Sequence, residues 1–263
     1  MNEFLNQLAF GWFPYLAVTV LVLGSILRFD KDQYGWRSQS SQFLRRRQMR
    51  IGSNLMHLGI LVLLVGHFVG LLTPIGVFDA VGISHGFKQA MALVVGGLAG
   101  VAAWLGCTLL LHRRLADPRI RRTSSFADIA VLALLWAQLT LGVATTYWTM
   151  QHLDGKEMVL FMGWAQGLLR FDPGAADLII DAAFVYKLHI VLGLVLFLIT
   201  PFTRLVHVFS APVWYLFRTG YQIVRPRNPR RRAEIPVTSG AAASTFGGPA
   251  VERATSDSGQ SGV

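Results

Sequence analysis

The sequence predicts an all-α, polytopic membrane protein with five transmembrane helices, the N-terminus outside and the C-terminus in the cytoplasm. Three observations carry this. The 263 residues are 53% hydrophobic and only 14% charged, whereas soluble domains carry roughly 25% charged residues. The apolar residues gather into five runs, at 8–27, 51–73, 88–112, 126–148 and 183–209, and about 20 helical residues cross a hydrocarbon core of about 30 Å. The runs are continuous, not alternating, which argues against a transmembrane β-barrel.

Charge sets the orientation. Twenty of the 24 Lys and Arg fall in the connections 28–50 and 113–125 or beyond residue 203. Short loops rich in Lys and Arg stay cytoplasmic. The net charge of +10 is therefore an orientation feature that also favours lipid headgroups or an acidic cytoplasmic partner, and not a nucleic-acid footprint. The expected location is the inner (cytoplasmic) membrane.

The first run follows MNEFLNQLAFGW, which lacks a basic leader and a small-residue cleavage site, so it is expected to remain as a span. Trp12 and Tyr15 mark its outer interface, as Tyr147 and Trp148 do for the fourth run. Tyr34, Trp36, Trp214 and Tyr215 mark the inner one. The second run holds His57 and His67 together with Gly52, Gly59 and Gly66, spaced by seven, and a GxxxG formed by Gly66 and Gly70. Small residues admit a neighbouring helix or a flat macrocycle. The third run has Lys88 at its outer end and contains Cys107. This is the only cysteine, which rules out an intrachain disulfide, a four-cysteine cluster or a CxxCH haem attachment. The outer connection 149–182 includes an amphipathic stretch, MVLFMGWAQGLLRF, expected to lie along the membrane surface. The fifth run holds His189 and His207, with Pro201 and Arg204 between them. A membrane domain of 1–225 then gives way to a tail, 226–263, rich in Arg, Gly, Ala, Ser and Pro and expected to be disordered.

Ionisable groups at membrane depth are costly and usually bind or relay something. The second run goes inside to outside and the fifth returns, so antiparallel packing pairs His57 with His207 near the cytoplasm and His67 with His189 near the outside. Two such pairs are what two bis-histidine b-type haems need. The register is imperfect. His189 and His207, 18 apart, are five turns and about 27 Å apart on a continuous helix, whereas His57 and His67 differ by about 80° and 15 Å. A kink at Pro201 or helix tilt is needed to reconcile them. Interhelical hydrogen bonding and proton relay are the alternative uses of these histidines. His85, His112 and His152 fall at helix ends or in connections and read as solvated.

Several stretches together resemble the gamma subunit of respiratory nitrate reductase. They are FPYLAVTVLVLGSILRFDKDQYGWRSQSSQ at 13–42, SNLMHLGILVLLVGHFVGLLTP at 53–74, HRRLADPRIRRTSSFADI at 112–129, QHLDGKEM at 151–158, GWAQGLL at 163–169 and KLHIVLGLVLFLITPFTRLVHVFSAPVWYL at 187–216. The resemblance spans about residues 1–225. It implies that His57 and His207 ligate an inner haem b and His67 and His189 an outer one. It implies a quinol site (menaquinol or ubiquinol) beside the outer haem, at Lys88 and Gly70. It also implies a cytoplasmic iron–sulfur beta subunit and a molybdenum alpha subunit as partners, in an oxidoreductase that passes electrons from quinol to nitrate. An ammonium at Lys88 suits a quinol oxygen, although a lysine there also reads as snorkelling. Arg204 reads either as a haem-propionate partner or as a positive-inside anchor. Two rival readings stand beside this one: a dihaem quinone oxidoreductase subunit of a heterodisulfide-reductase-like or sulfite-reducing complex, and a non-redox membrane anchor or transporter.

Overall fold

The computed structural model describes residues 2–32, 45–151 and 155–210, apart from the side chains of His85 and Ser210. The chain divides into two units, Met1–Ala211 and Pro212–Val263. The second, with the expected tail and the interfacial Trp214 and Tyr215, lies outside the described residues, as do Tyr34, Trp36 and His152.

Among the described residues, five helices are long and apolar enough to cross a membrane. They are α1 (Glu3–Lys31), α2 (Arg46–Leu72), α4 (His85–Ala116), α6 (Phe126–Gln151) and α8 (Phe184–Ile199), the last reaching membrane length with the turn that follows it, as Phe184–Phe202. Short helices α3 (Ile75–Ala80) and α5 (Pro118–Thr123) and the longer α7 (Lys156–Leu169) connect them, with a 3₁₀ turn at Ala175–Ile179. The helices extend past the apolar runs because their ends continue into polar flanks. The fifth is the exception. It stops at Ile199 and resumes as 3₁₀ turns at Thr200–Phe202 and Arg204–Ser210, around an extended Thr203 (φ −121°, ψ 178°). The run 183–209 is thus broken next to Pro201, where the histidine registers called for a kink or tilt, and the break is a change to 3₁₀ turns. The cause is Pro201, which has no N–H and whose ring collides with the preceding turn.

Packing follows side-chain size. α2 lies on α4, α4 on α6, α6 on α8 and α8 on α1. The α2–α4 contact is a backbone approach. A Cβ at Gly59 would come 2.6 Å from the Ala99 carbonyl oxygen and 2.8 Å from the Ala103 Cβ, and one at Gly52 would come 3.1 Å from the Leu110 side chain. Where α4 meets α6, the Trp104 indole donates to Thr140 and the Trp136 indole to Thr108, both at 3.0 Å. Each threonine hydroxyl in turn donates to the carbonyl of the tryptophan four residues earlier on its own helix. These bonds satisfy donors that hydrocarbon would leave bare. Cys107 is buried in this interface among Ala103, Leu110, Leu132 and Leu139, an apolar packing role.

The outer end has a second core. Pro14 cannot donate to the Phe10 carbonyl one turn earlier, and α1 widens to a π turn at Leu8–Trp12. The Trp164 indole N–H fills the gap, donating to the Phe10 oxygen at 3.0 Å. Asn6, Gln7 and Tyr15 on α1 donate to the carbonyls of Ala176, Pro173 and Leu168. The amphipathic stretch thus forms α7, and its Met162, Trp164, Ala165 and Gly167 are buried within the protein. Tyr15, expected at the lipid interface, is a tie between α1 and α7.

Candidate functional site

α2 and α8 are not among the closely packed helix pairs, yet the histidines of α2 meet those of α8 and of the 3₁₀ segment beyond it. The His57 and His207 ring centroids are 6.2 Å apart, and those of His67 and His189 are 6.3 Å apart. The break at Pro201 reconciles the two registers, because His207 sits on the displaced 3₁₀ segment and not five turns down a straight helix.

The rings are aimed from behind. The Nδ1 atoms of His57 and His67 lie 2.7 Å from the carbonyl oxygens of Ser53 and Leu63, and that of His207 lies 2.5 Å from the Arg204 oxygen. An Nδ1–H donating to a carbonyl fixes the tautomer and leaves Nε2 as a lone-pair donor, the usual arrangement behind a metal-ligating histidine. His189 differs. Its Nδ1 has no hydrogen-bond partner, and the Gln138 amide nitrogen lies 3.4 Å from its Nε2. Packing holds this ring: a Cβ at Gly142 would come 3.1 Å from its Cε1. Gln138 and Gly142, both on α6, belong to the site but were not identified from sequence. The trace they leave is a lone amide and a glycine one turn apart in an apolar helix.

The pairs can be tested against a bound metal. An imidazole nitrogen sits about 2.0–2.1 Å from a bound first-row metal, so two imidazoles flanking one ion have ring centroids roughly 6.3 Å apart. Both pairs have this spacing. Among the described residues no group of three or more His, Cys, Asp or Glu is gathered for a metal ion. Each pair offers two imidazoles, and a macrocycle with four nitrogens of its own would supply the remaining donors. A Cβ at Gly66 or Gly70, beside His67, would meet no atom within 4 Å, so this part of α2 has room for a flat group. The residues fit bis-histidine haem. The Gly stripe therefore has two parts: Gly52 and Gly59 seat α4, and Gly66 and Gly70 do not.

Lys88 and Gly70 come together as expected. The Lys88 ammonium donates to the Gly70 carbonyl at 3.3 Å and to the Met162 sulfur at 2.8 Å, and lies 3.8 Å from the Phe78 ring centroid. Four elements, α2, α3, α4 and α7, converge on one cation. Ile75, Phe78, Met158, Val159 and Met162 line a small cavity with it. Nearby, the Gln166 amide donates to the carbonyls of Leu71 and Thr73, closing the end of α2. Arg204 pairs with Asp128 on α6 at 3.2 Å, and Arg114 approaches the same carboxylate at 3.9 Å. His112 lies 3.5 Å from the Gln48 amide nitrogen, away from either histidine pair.

Five membrane-length helices, with two facing histidine pairs among them, define a multi-pass membrane protein. The sequence profile described as "Nitrate reductase gamma subunit" matches residues 6–227. The chain is 47% identical over 226 residues to the respiratory nitrate reductase 1 gamma chain of Escherichia coli (strain K12), covering 86% of this chain and all of that one. It is 40% identical to the nitrate reductase gamma chain of Bacillus subtilis (strain 168), covering 85% and 99%. It is also 35% identical to the nitrate reductase-like protein NarX of Mycobacterium tuberculosis (strain CDC 1551 / Oshkosh), covering 88% of this chain and 36% of that protein. The chain belongs to the nitrate reductase gamma subunit family. It is an oxidoreductase-family subunit with a multi-pass inner-membrane location.

Proposed function

We propose that the chain is the dihaem cytochrome b subunit of a quinol-oxidising respiratory nitrate reductase. The observation that carries this is the matched spacing of the two histidine pairs, 6.2 and 6.3 Å between ring centroids. His57 and His207 hold an inner haem b, and His67 and His189 an outer one. When bound, the haems supply one-electron transfer across the bilayer. Lys88, beside Gly70, donates a hydrogen bond to a quinol oxygen (menaquinol or ubiquinol) and favours loss of its proton. With the N-terminus outside, as the Arg-rich connections support, those protons leave at the outer face. Arg204, whose guanidinium has five N–H donors, serves an inner-haem propionate as well as Asp128. The basic inner face docks a cytoplasmic iron–sulfur beta subunit, which passes electrons to a molybdenum alpha subunit that reduces nitrate.

The test is haem content in single variants. His57→Ala and His207→Ala are expected to lack the inner haem and keep the outer, and His67→Ala to lack the outer. Two haems retained in all three variants would refute the assignment.

A further inference from the structure

One helix that carries none of the four histidines, α1, reaches the segment that carries His207. Breaking α8 at Pro201 leaves carbonyls without helical donors, and in hydrocarbon each needs a partner. Beyond the break, one guanidinium nitrogen of Arg28, on α1, donates to both Pro201 O (2.7 Å) and Thr203 O (2.8 Å). One turn before Arg28, Gly24 receives the proline, and a Cβ there would come 2.9 Å from the Pro201 Cβ and Cγ. Gly24 and Arg28 thus form a seat shaped to the broken helix, with a concavity for the ring and one guanidinium nitrogen between the two carbonyls.

The seat leads directly to His207. Thr203, held by Arg28, precedes Arg204. The Arg204 carbonyl is the oxygen that aims the His207 ring through Nδ1, and the Arg204 side chain is pinned from the other side by Asp128. The peptide that orients His207 is therefore clamped between α1 and α6. His57, His67 and His189 lie on continuous helices and have no such dependence. A backbone aimed by contacts from two other helices is a second layer of the site, and such layers set ring orientation and ligand basicity.

We infer that Arg28, seated with Gly24 and opposed by Asp128, is a positioning residue for His207, and so for the inner centre alone. This rests on the reading of His57 and His207 as the inner haem ligands. A basic residue at a helix end otherwise serves only as a positive-inside anchor. An anchor needs only a positive charge at that depth, whereas this role needs two N–H donors on one nitrogen held between the Pro201 and Thr203 carbonyls.

The experiment uses the full chain in membranes carrying its partner subunits. Arg28→Lys keeps the charge but ends one bond short of the nitrogen that meets both carbonyls, Arg28→Met loses charge and donors, and Gly24→Ala displaces Pro201. Haem per chain, the midpoint potential of each haem and the electron paramagnetic resonance g-values of each low-spin centre are the readouts. The outer haem in each sample reports folding. The expected result is a changed inner g-value and potential in Arg28→Lys, and about 10-fold or greater loss of inner-haem affinity in Arg28→Met, with the outer centre unchanged. Wild-type inner values in both Arg28 variants would overturn the inference, as would equal changes at both centres or a defect in Arg28→Met that Arg28→Lys fully repairs. Absence of two haems from the wild-type chain would instead overturn the proposed function.

Discussion

Replacing Gly59 with alanine tests how the α2–α4 contact holds α2 in place. The added Cβ would lie 2.6 Å from the Ala99 carbonyl oxygen and 2.8 Å from both the Ala103 Cβ and backbone nitrogen, where ordinary contact begins at 3.4 Å. The deficit is about 0.8 Å, and the obstructing atoms are helix backbone and a methyl group. No flexible side chain can give way. The helices must separate locally, at a cost of about 1–3 kcal/mol, the usual range for overpacking. Gly66, on the same stripe, supplies the control. Its Cβ would meet no protein atom within 4 Å, so in the haem-free chain Gly66→Ala is expected to leave stability unchanged or raised by up to about 1 kcal/mol from helix propensity. Denaturant unfolding of both variants in one detergent, with bound haem measured alongside, makes the comparison. The expected order is Gly59→Ala least stable and depleted in haem, because α2 carries one ligand of each pair. Equal stability, or a larger loss in Gly66→Ala, would refute the close approach and its role in setting the histidines.

Other outcomes follow from single contacts. Trp164→Phe keeps the ring and removes the indole donor to the Phe10 carbonyl opposite Pro14, and should lower stability by about 0.5–1.5 kcal/mol, the usual contribution of one hydrogen bond, in the same unfolding assay. Lys88→Ala should lower quinol-dependent haem reduction about 100-fold while both haems remain; an unaltered rate would remove Lys88 from the quinol site. Trp136→Phe should cost only about 0.5–1.5 kcal/mol, because the Thr108 hydroxyl it leaves still donates to the Trp104 carbonyl; calorimetric or denaturant unfolding decides this.

Membrane length, helical class and the antiparallel meeting of His57 with His207 and His67 with His189 were legible in the sequence. Hydropathy and the inside–outside alternation of charge are properties of whole segments and survive errors of a few residues. Lys88 with Gly70 was legible through family resemblance; nothing in the spacing of the two residues places an ammonium 3.3 Å from that carbonyl. The register of the fifth segment was not legible. Pro201 announces a disturbance, but its form depends on Arg28 and Gly24, more than 170 residues away, accepting the broken end. The role of Asp128 was hidden for the same reason, since a carboxylate at a helix start reads as a macrodipole partner until Arg204 is seen beside it. Gln138 and Gly142 escaped because hydropathy registers only that α6 is apolar, not which of its faces meets His189.

The most direct measurement is a reduced-minus-oxidised absorption spectrum of the purified chain, with haem quantified per polypeptide and reduction driven by a menaquinol analogue. Two b-type haems per chain, both reducible by the quinol, are predicted from the paired imidazoles. A well-folded chain without haem would contradict the reading of all four histidines at once.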